Sequence, residues 1–530
     1  NKFIGKLDYR CSMFKSDVEA VEALSSSIKN LKQEIKKVID LLEPKEVVGP
    51  SFGMISSVCY NSIKCEPLSL FVAISGTRLD GHNFIEQAIE RGAKFIVCEK
   101  LPEKIHPDCT YIVVENSRIA LAKASNFWFD FPTKDVEVVG VTGTNGKTTI
   151  TYLLKEIMQT SGRNAGVVGT IGAFAKDYYC RLSNTTPESY ELFKIFHDFR
   201  KIGVDFVAME VSSHSLHQGR VYGIDFKGAI FTNLTQDHLD YHKNMDEYAE
   251  AKSILFKNLN NEAVVVAFKD DPYVERIVSG TPASRRYFVG RNKDADVVIL
   301  NEKFGLESTE FDLIFNTTEI GIKELHIKSN LLGRFNVENV ALASVLALAF
   351  GLKPDEVKNS ISRFKGVDGR MQRVALKNGA IGIVDYAHTP DALKKALETC
   401  REILNESSKS GRLICVFGCG GERDPEKRPI MGRIASEIAD YVVLTNDNPR
   451  KENPTKIINQ IYAGITNEGK KKVIQIGNRD EAIEYAYNLS SCNDIILVAG
   501  KGHEDYQIIG EVKYHFSDVE QLKKFGVDEK

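Results

Sequence analysis

The sequence predicts an α/β protein of three domains, and three observations carry that prediction. Short continuous apolar runs alternate with helical stretches along most of the chain, as in largely parallel sheets covered on both faces. The alternation starts afresh near Val136 and again near Lys365-Gly366-Val367-Asp368-Gly369. A chain of 530 residues also exceeds what one hydrophobic core can hold. The expected divisions are a helical extension over 1–44, a small α/β domain over 45–134, a central domain with a mostly parallel sheet over 135–366, and a last α/β domain over 367–530.

Each element has a local reason. Val21, Leu24, Ile28, Leu31, Ile35, Val38 and Leu42 are spaced by threes and fours, which predicts a helix with a narrow apolar seam ending before Pro44. Two readings apply: a short coiled coil pairing two chains, or a helix packed on its own domain, which is favoured at only about three heptads. Leu70–Ile74 and Phe95–Cys98 read as strands around a helix at Phe84–Arg91, and Phe131–Asp135 as a linker. In the central domain, strands are expected at Val136–Val141, Ala165–Val168, Phe206–Met209, Ala229–Phe231 and Ala263–Ala267. Asp294–Lys328 is richer in short strands. The last domain should have strands at Ile381–Val384, Leu413–Phe417, Tyr441–Leu444, Val473–Ile476 and Ile495–Val498.

Composition narrows the function. Lys and Arg total 69 against 72 for Asp and Glu, a net charge of -3, so no general field attracts nucleic acid or an anionic membrane. Anion binding must come from local sites. The ten cysteines form no CxxC pairs, which argues against a zinc ribbon or secreted disulfide framework and for reduced cytosolic thiols. Asn1–Gly5 lacks a signal-peptide core, and Val340–Phe350 is too short to span a bilayer. A cytoplasmic, monomeric protein acting on small molecules is expected.

Between the first buried strand of the central domain and the helix after it stands Gly140-Val141-Thr142-Gly143-Thr144-Asn145-Gly146-Lys147-Thr148-Thr149. Such a loop cradles polyphosphate, because glycines let backbone N–H groups approach and the helix N-terminus favours negative charge. Lys147 would reach the outer phosphates and Thr148 would ligate magnesium. The usual P-loop has Gly where this chain has Val141.

That departure is informative. Gly143-Thr144-Asn145-Gly146-Lys147-Thr148-Thr149 resembles the loop of the Mur ligases and their relatives, the folylpolyglutamate and cyanophycin synthetases. The resemblance covers about Ile55 to the C-terminus. It implies ATP-dependent conversion of a carboxylate to an acyl phosphate, which an amine displaces to make an amide. It also implies a nucleotide-sugar domain, a P-loop-type ATPase domain and a C-terminal Rossmann-like domain, in that order.

Residue by residue, the resemblance implies the following. Glu210, in Met209-Glu210-Val211-Ser212-Ser213-His214, ligates magnesium beside Thr148; an ion pair with a structural Arg is the plainer alternative. His238 serves a second magnesium site. Lys252, in Glu250-Ala251-Lys252-Ser253, is the carbamylated metal ligand, although its position alone reads as an ordinary helix-surface lysine. Ser62, Thr185, Thr186, Ser212, Gln218 and Arg220 hold the UDP-linked precursor. The family's Asp-Ser-Arg appears as Asn61-Ser62-Ile63, which leaves uridine recognition without its Arg. Asn336 lies on the adenine side, where a helix N-cap is the alternative. Arg370 and Asp385 complete the ATP site with the loop residues Gly143 to Thr149.

Four predicted strands of the last domain end in polar loops, which should converge beyond their carboxyl ends. Asp447-Asn448-Pro449-Arg450 carries the specificity. In family members that add meso-diaminopimelate this Arg grips the far carboxylate of the amino acid, a bidentate task suited to guanidinium. Arg423, Gly500 and Glu504 are its expected partners; a surface ion pair is the alternative for Arg450. The expected reaction therefore joins meso-diaminopimelate to UDP-N-acetylmuramoyl-L-alanyl-D-glutamate for the cell wall. Lysine or lanthionine as the amine, and a P-loop ATPase switch binding a partner protein, are the rivals.

Overall fold

The apolar runs become strands close to where their lengths put them. A computed structural model of the chain describes residues 33–76, 79–235, 244–305, 308–406 and 410–527. They fall into two units, the first comprising residues up to Glu137 with Thr186–Asp205 and Val211–Asp225. The second takes in Val138–Thr185, Phe206–Glu210 and everything from Phe226 onward.

The first unit holds a five-stranded sheet in the order Glu46–Val48, Thr110–Val113, Phe95–Cys98, Ser69–Val72, Ser57–Cys59. Only Glu46–Val48 runs antiparallel to its neighbour. The three central strands are buried at every position, which is why they read as unbroken apolar runs. The helix Ile35–Leu42 buries Ile35, Val38 and Leu42 in a core shared with Val72, Val97 and Ile112. This part of the predicted seam is thus a core face; Val21, Leu24, Ile28 and Leu31 lie outside the described residues. Phe131–Asp135, expected as a linker, instead contains the 3-10 turn Pro132–Lys134 with Pro132 and Thr133 buried.

In the second unit, an eleven-stranded sheet runs Tyr178–Cys180, Gly172–Ala175, Ala165–Gly169, Phe206–Glu210, Glu137–Thr142, Phe226–Phe231, Val264–Phe268, Arg285–Gly290, Val297–Phe304, Thr309–Phe315, Glu324–Ser329. The strands from Phe226–Phe231 to Val297–Phe304 pair in parallel, and antiparallel strands close both edges. Asp294–Lys328 therefore supplies three of the longer strands. Alternating burial in Thr309–Phe315 and Glu324–Ser329 hid those two from a search for continuous apolar runs. The helices Lys147–Thr160 and Arg334–Ala349 pack in the same core. Arg334–Ala349, which takes in all but the last residue of the apolar stretch Val340–Phe350, is buried on nearly all sides. Among the described residues, no helix is long and apolar enough to cross a membrane.

The remaining six-stranded sheet runs Gln372–Ala375, Ile381–Asp385, Ile495–Ala499, Leu413–Phe417, Tyr441–Leu444, Val473–Gln475. All pairs are parallel except the first. Inserting the last of the parallel strands between the first two places the carboxyl ends of Ile381–Asp385, Ile495–Ala499 and Leu413–Phe417 side by side.

Candidate active site

The strand Glu137–Thr142 lies where the order of the large sheet reverses, with Phe206–Glu210 on one side and Phe226–Phe231 on the other. Open α/β sheets bind ligands at such a switch point. The loop after it is bound tightly to the loop after Phe226–Phe231. Thr232 Oγ1 donates to the Asn145 carbonyl (2.6 Å), and Asn145 N–H donates to Asn233 Oδ1 (3.0 Å). Gly143 is required, since its φ is +146° and a Cβ there would lie 1.8 Å from Thr232 Oγ1. Gly146 has φ +88° and leads into the helix Lys147–Thr160; its Cβ would meet Asn339 Oδ1 at 2.3 Å.

Lys147 Nζ donates to the carbonyls of Gly143 (2.9 Å) and Thr144 (2.8 Å), within its own loop. Thr148 Oγ1 donates to Glu210 Oε1 at 2.9 Å, and Glu210 is buried. Thr170 adds its N–H to Oε1 (2.9 Å) and its hydroxyl to Oε2 (3.1 Å). Glu210 thus closes its strand among hydroxyl and backbone donors. Thr170, which the sequence reading missed, follows Ala165–Gly169, the strand paired with Phe206–Glu210. Being at the carboxyl end of an adjacent parallel strand was its available signal. Thr144 to Thr149, Thr170, Thr185, Glu210 and Arg370 line one cavity of about 130 Å³.

Lys252 corrects its position-based reading. It is 1% exposed in the helix Met245–Lys257, its Nζ donates to the Gly143 carbonyl (3.0 Å) and lies 4.5 Å from the centre of the Tyr248 ring. The buried face of the helix thus delivers it to the phosphate loop. His238 lies outside the described residues. Asn336 is not an N-cap: the helix starts at Arg334 after Gly333, and Asn336 donates to the Leu332 carbonyl (2.8 Å) and accepts from Asn339 (3.0 Å).

Arg370 lies over the Tyr386 ring, 5.0 Å from its centre, and its Nε is buried without a partner among the described residues. Asp385 accepts from the N–H groups of Met371 (2.8 Å) and Ala387 (2.9 Å). Burial pushes its carboxyl above the usual range, and Arg370 and these N–H groups oppose that rise.

The four polar loops of the last sheet do converge. Asn448, 3% exposed, donates to Glu504 Oε2 (2.9 Å) and accepts from Lys501 Nζ (3.2 Å), and Lys501 also reaches Glu504 Oε2 (3.1 Å). Lys501, fully buried, was overlooked; a buried ammonium requires such partners. Arg450 donates to the Gly421 carbonyl (2.7 Å) and forms no ion pair among the described residues, so the surface-pair alternative fails. Gly420 gives it room: a Cβ there would lie 3.1 Å from Arg450 Nη1 and 3.6 Å from Arg423 Cγ. Gly500 likewise abuts Asp447, whose Oδ2 would be 2.7 Å from its Cβ.

In the first unit, Ser62 Oγ donates to Gln87 Oε1 (2.6 Å). Ile63, where the family motif has Arg, is 63% exposed, and its carbonyl accepts from Arg91 (3.3 Å). The same unit groups Thr186, Ser212, Gln218 and Arg220. Ser212 N–H donates to Thr186 Oγ1 (3.1 Å), and Arg220 donates to the Thr186 carbonyl (2.9 Å) and Gln218 Oε1 (2.7 Å). Glu188, also overlooked, pairs with Arg220 (3.0 Å) and Arg118 (3.3 Å).

Three family models match the chain in order. They are the Mur ligase family catalytic domain over 54–128, the Mur ligase middle domain over 141–347, and the Mur ligase glutamate ligase domain over 369–502. A Clostridium acetobutylicum protein named UDP-N-acetylmuramoyl-L-alanyl-D-glutamate–2,6-diaminopimelate ligase 1 is 42% identical over 93% of this chain and 99% of its own length. The chain belongs to the Mur ligase family. A Phocaeicola vulgatus protein named as the same type of ligase is 39% identical over 94% of this chain and all of its own. A solved structure of a ligase of that name superposes with a TM-score of 0.68 at 30% identity, covering 93% of this chain and 98% of that one. Among Mur ligases, then, this chain resembles the diaminopimelate-adding type along nearly its whole length.

Proposed function

We infer that this Mur ligase uses ATP to join meso-2,6-diaminopimelate to UDP-N-acetylmuramoyl-L-alanyl-D-glutamate, yielding ADP and phosphate, in the cytoplasmic synthesis of cell-wall precursor. The observation that carries the reading is the pairing, within one unit, of a phosphate loop with the Asp447-Asn448-Pro449-Arg450 loop. The names borne by its relatives point the same way. The proposed division of labour follows the expected domains: residues 45–134 take the uridine nucleotide, 135–366 the ATP, and 367–530 the amino acid. In this scheme the products serve cell-wall growth, and through it cell shape and division.

ATP binds on the backbone N–H groups of Gly143 to Thr149, and Lys147 leaves its loop carbonyls for the outer phosphates. Arg370 approaches the same phosphates from the cavity wall, and Asn336 faces the base. Thr148 and Glu210 offer a hydroxyl and a carboxylate 2.9 Å apart beside the loop, hard oxygen donors that fit magnesium. Magnesium, when bound there, neutralises phosphate charge so that a carboxylate approaches. Lys252, as its carbamate, and His238 would hold a second ion; the reach of Lys252 to the Gly143 carbonyl supports a place for it beside the loop. Ser62, Thr186, Ser212, Gln218 and Arg220 bind the UDP-linked dipeptide in the first unit, and Thr185 belongs to the phosphate cavity of the second. Arg450 and Arg423 take the far carboxylate of the amine substrate, and Glu504, braced by Asn448 and Lys501, takes its ammonium. Orientation of the amine toward the acyl phosphate then supplies much of the rate.

Phosphate release with ATP, magnesium and the UDP-linked dipeptide tests this directly, adding diaminopimelate, lanthionine or lysine separately. Diaminopimelate is expected to stimulate strongly and lysine not at all. Stimulation by lysine alone sinks the role of Arg450 and keeps the ligase. Stimulation by lanthionine as well leaves the choice between the two diacids to their supply in the cell.

A further inference from the structure

Cys59 ends the strand Ser57–Cys59, and Cys65 follows the short turn Ser62–Lys64. Their sulfurs are 2.9 Å apart, so that a movement of about 0.9 Å reaches disulfide bonding distance. Both residues line a pocket of about 660 Å³ in the first unit, together with Arg91 and Lys64, and both are 7% exposed. Cys400 and Cys415 are instead sealed in the core of the last sheet.

The two thiols are unequal. The hydrogen bond from Cys59 holds the Cys65 thiol below the usual range, against its burial and with help from Arg91. The same hydrogen bond, more than burial, pushes the Cys59 thiol up. Arg91 also bonds the Ile63 carbonyl in the turn that leads to Cys65, a cation beside that end of the pair, so Cys65 takes the part of the attacking thiolate and Cys59 that of its resolving partner.

We propose that Cys59 and Cys65 are a redox-sensitive dithiol in the wall of this pocket, oxidised by low-molecular-weight disulfides of the glutathione type. The Cys65 thiolate attacks one sulfur of the reagent, breaking its S–S bond, forming a mixed disulfide and releasing one thiolate. That step removes the anion to which Cys59 donated. Cys59 then gives up its proton and attacks Cys65 Sγ, forming the internal bond and releasing the second thiol. Two protein thiols are oxidised and one reagent disulfide is reduced.

The consequence rests on the reading of the first unit as the nucleotide-sugar site. The closed loop of residues 59–65 contains Ser62, bonded to Gln87, and Ile63, bonded to Arg91. Drawing the sulfurs together displaces that turn. The expected effect is a rise of about tenfold in KM for the UDP-linked dipeptide, equivalent to the loss of one hydrogen bond, with kcat unchanged.

The experiment uses the whole protein, incubated with oxidised glutathione, alkylated, and mapped by mass spectrometry without reduction. The proposal expects one internal Cys59–Cys65 bond, reversed by dithiothreitol together with the KM effect, and both retained in Cys492→Ser protein. Both thiols still alkylated when the exposed Cys492 is already modified would overturn it, as would a lasting mixed disulfide at Cys65. An internal bond with unchanged KM overturns the control. A protein that forms the bond yet binds no UDP-linked substrate in either state sinks the functional reading, and the control with it, while leaving the thiol chemistry standing.

Discussion

The phosphate loop and the loop cluster of the last sheet occupy equivalent places, the carboxyl ends of parallel strands, yet different physics holds them. The phosphate loop is fixed by neutral hydrogen bonds with its neighbour, Thr232 donating to the Asn145 carbonyl and Asn145 N–H donating to Asn233, and by two glycines of positive φ with no room for a Cβ. The amine-side loops are fixed from beneath by a fully buried ion pair. Arg479 bonds Asp518 at 2.7 Å and 2.8 Å, and donates as well to the carbonyls of Ala499 (2.9 Å) and Asn446 (3.2 Å). Those carbonyls immediately precede Gly500 and Asp447. On the proposed reading, a site for an invariant polyanion is thus built from backbone, while a site that must discriminate among amino acids is built from charged side chains.

The sharpest break in the comparison is at Lys147. Lys147→Ala removes a cation that, on the proposed reading, every turnover needs, whichever amine is supplied. A loss of about ten-thousand-fold in kcat is expected, read as phosphate release, with thermal stability nearly unchanged. Near-normal turnover would remove Lys147 from the chemistry.

Asp518→Ala attacks the brace instead. Removing one partner of a buried pair costs about 3 to 5 kcal/mol, because the Arg479 guanidinium is left uncompensated. Urea unfolding should show that loss, and amine binding should weaken more than ATP binding. Equal weakening of both ligands would mean that the brace is not local to the amine-side loops.

These two regions also differ in how readily the sequence discloses them. The phosphate loop is contiguous, Gly143 to Thr149, and its glycines are demanded by geometry that leaves a written trace. Asp447 to Arg450 is equally compact. Arg479 and Asp518 are 39 residues apart and carry no motif, so only packing reveals them. Lys252 reads as a surface lysine because a helix pattern does not say which polar residue turns inward. The antiparallel edge strands were blurred because half of each faces outward, which dilutes the apolar run that marks a buried strand.

Arg450→Met tests the discriminating side at smaller cost. The change keeps the apolar stem and deletes the guanidinium. KM for diaminopimelate is expected to rise by about thirtyfold, the worth of one charge-assisted interaction of about 2 kcal/mol, with KM for ATP unchanged. A shift of both constants together would show Arg450 acting through the fold. The backbone of residue 450 is held by N–H donation to the Ile508 carbonyl (3.0 Å), so a structural effect of the substitution should be minor.

The smallest effect is a pH dependence confined to the amine-side half. His503 packs against Tyr386 at 5.1 Å between ring centres, and its Nδ1 is buried without a partner among the described residues. Burial holds this imidazole below its usual value, and Arg370 lowers it further. In the unfolded chain it titrates near about 6.5. Between the lowered folded value and that point the unfolded chain binds more protons, so stability rises with pH across the window. The contribution is complete above about 6.5 and is lost as pH falls through the folded value. A fall in the urea midpoint is expected as pH is taken from about 7 down to about 5, and His503→Asn should flatten that slope. ATP should flatten it too: phosphate drawn to Arg370 offsets the cation that adds to burial in keeping His503 neutral, so the imidazole titrates closer to its ordinary value. A slope unaltered by both the substitution and the nucleotide would place the proton uptake elsewhere and detach His503 from the Arg370 cavity.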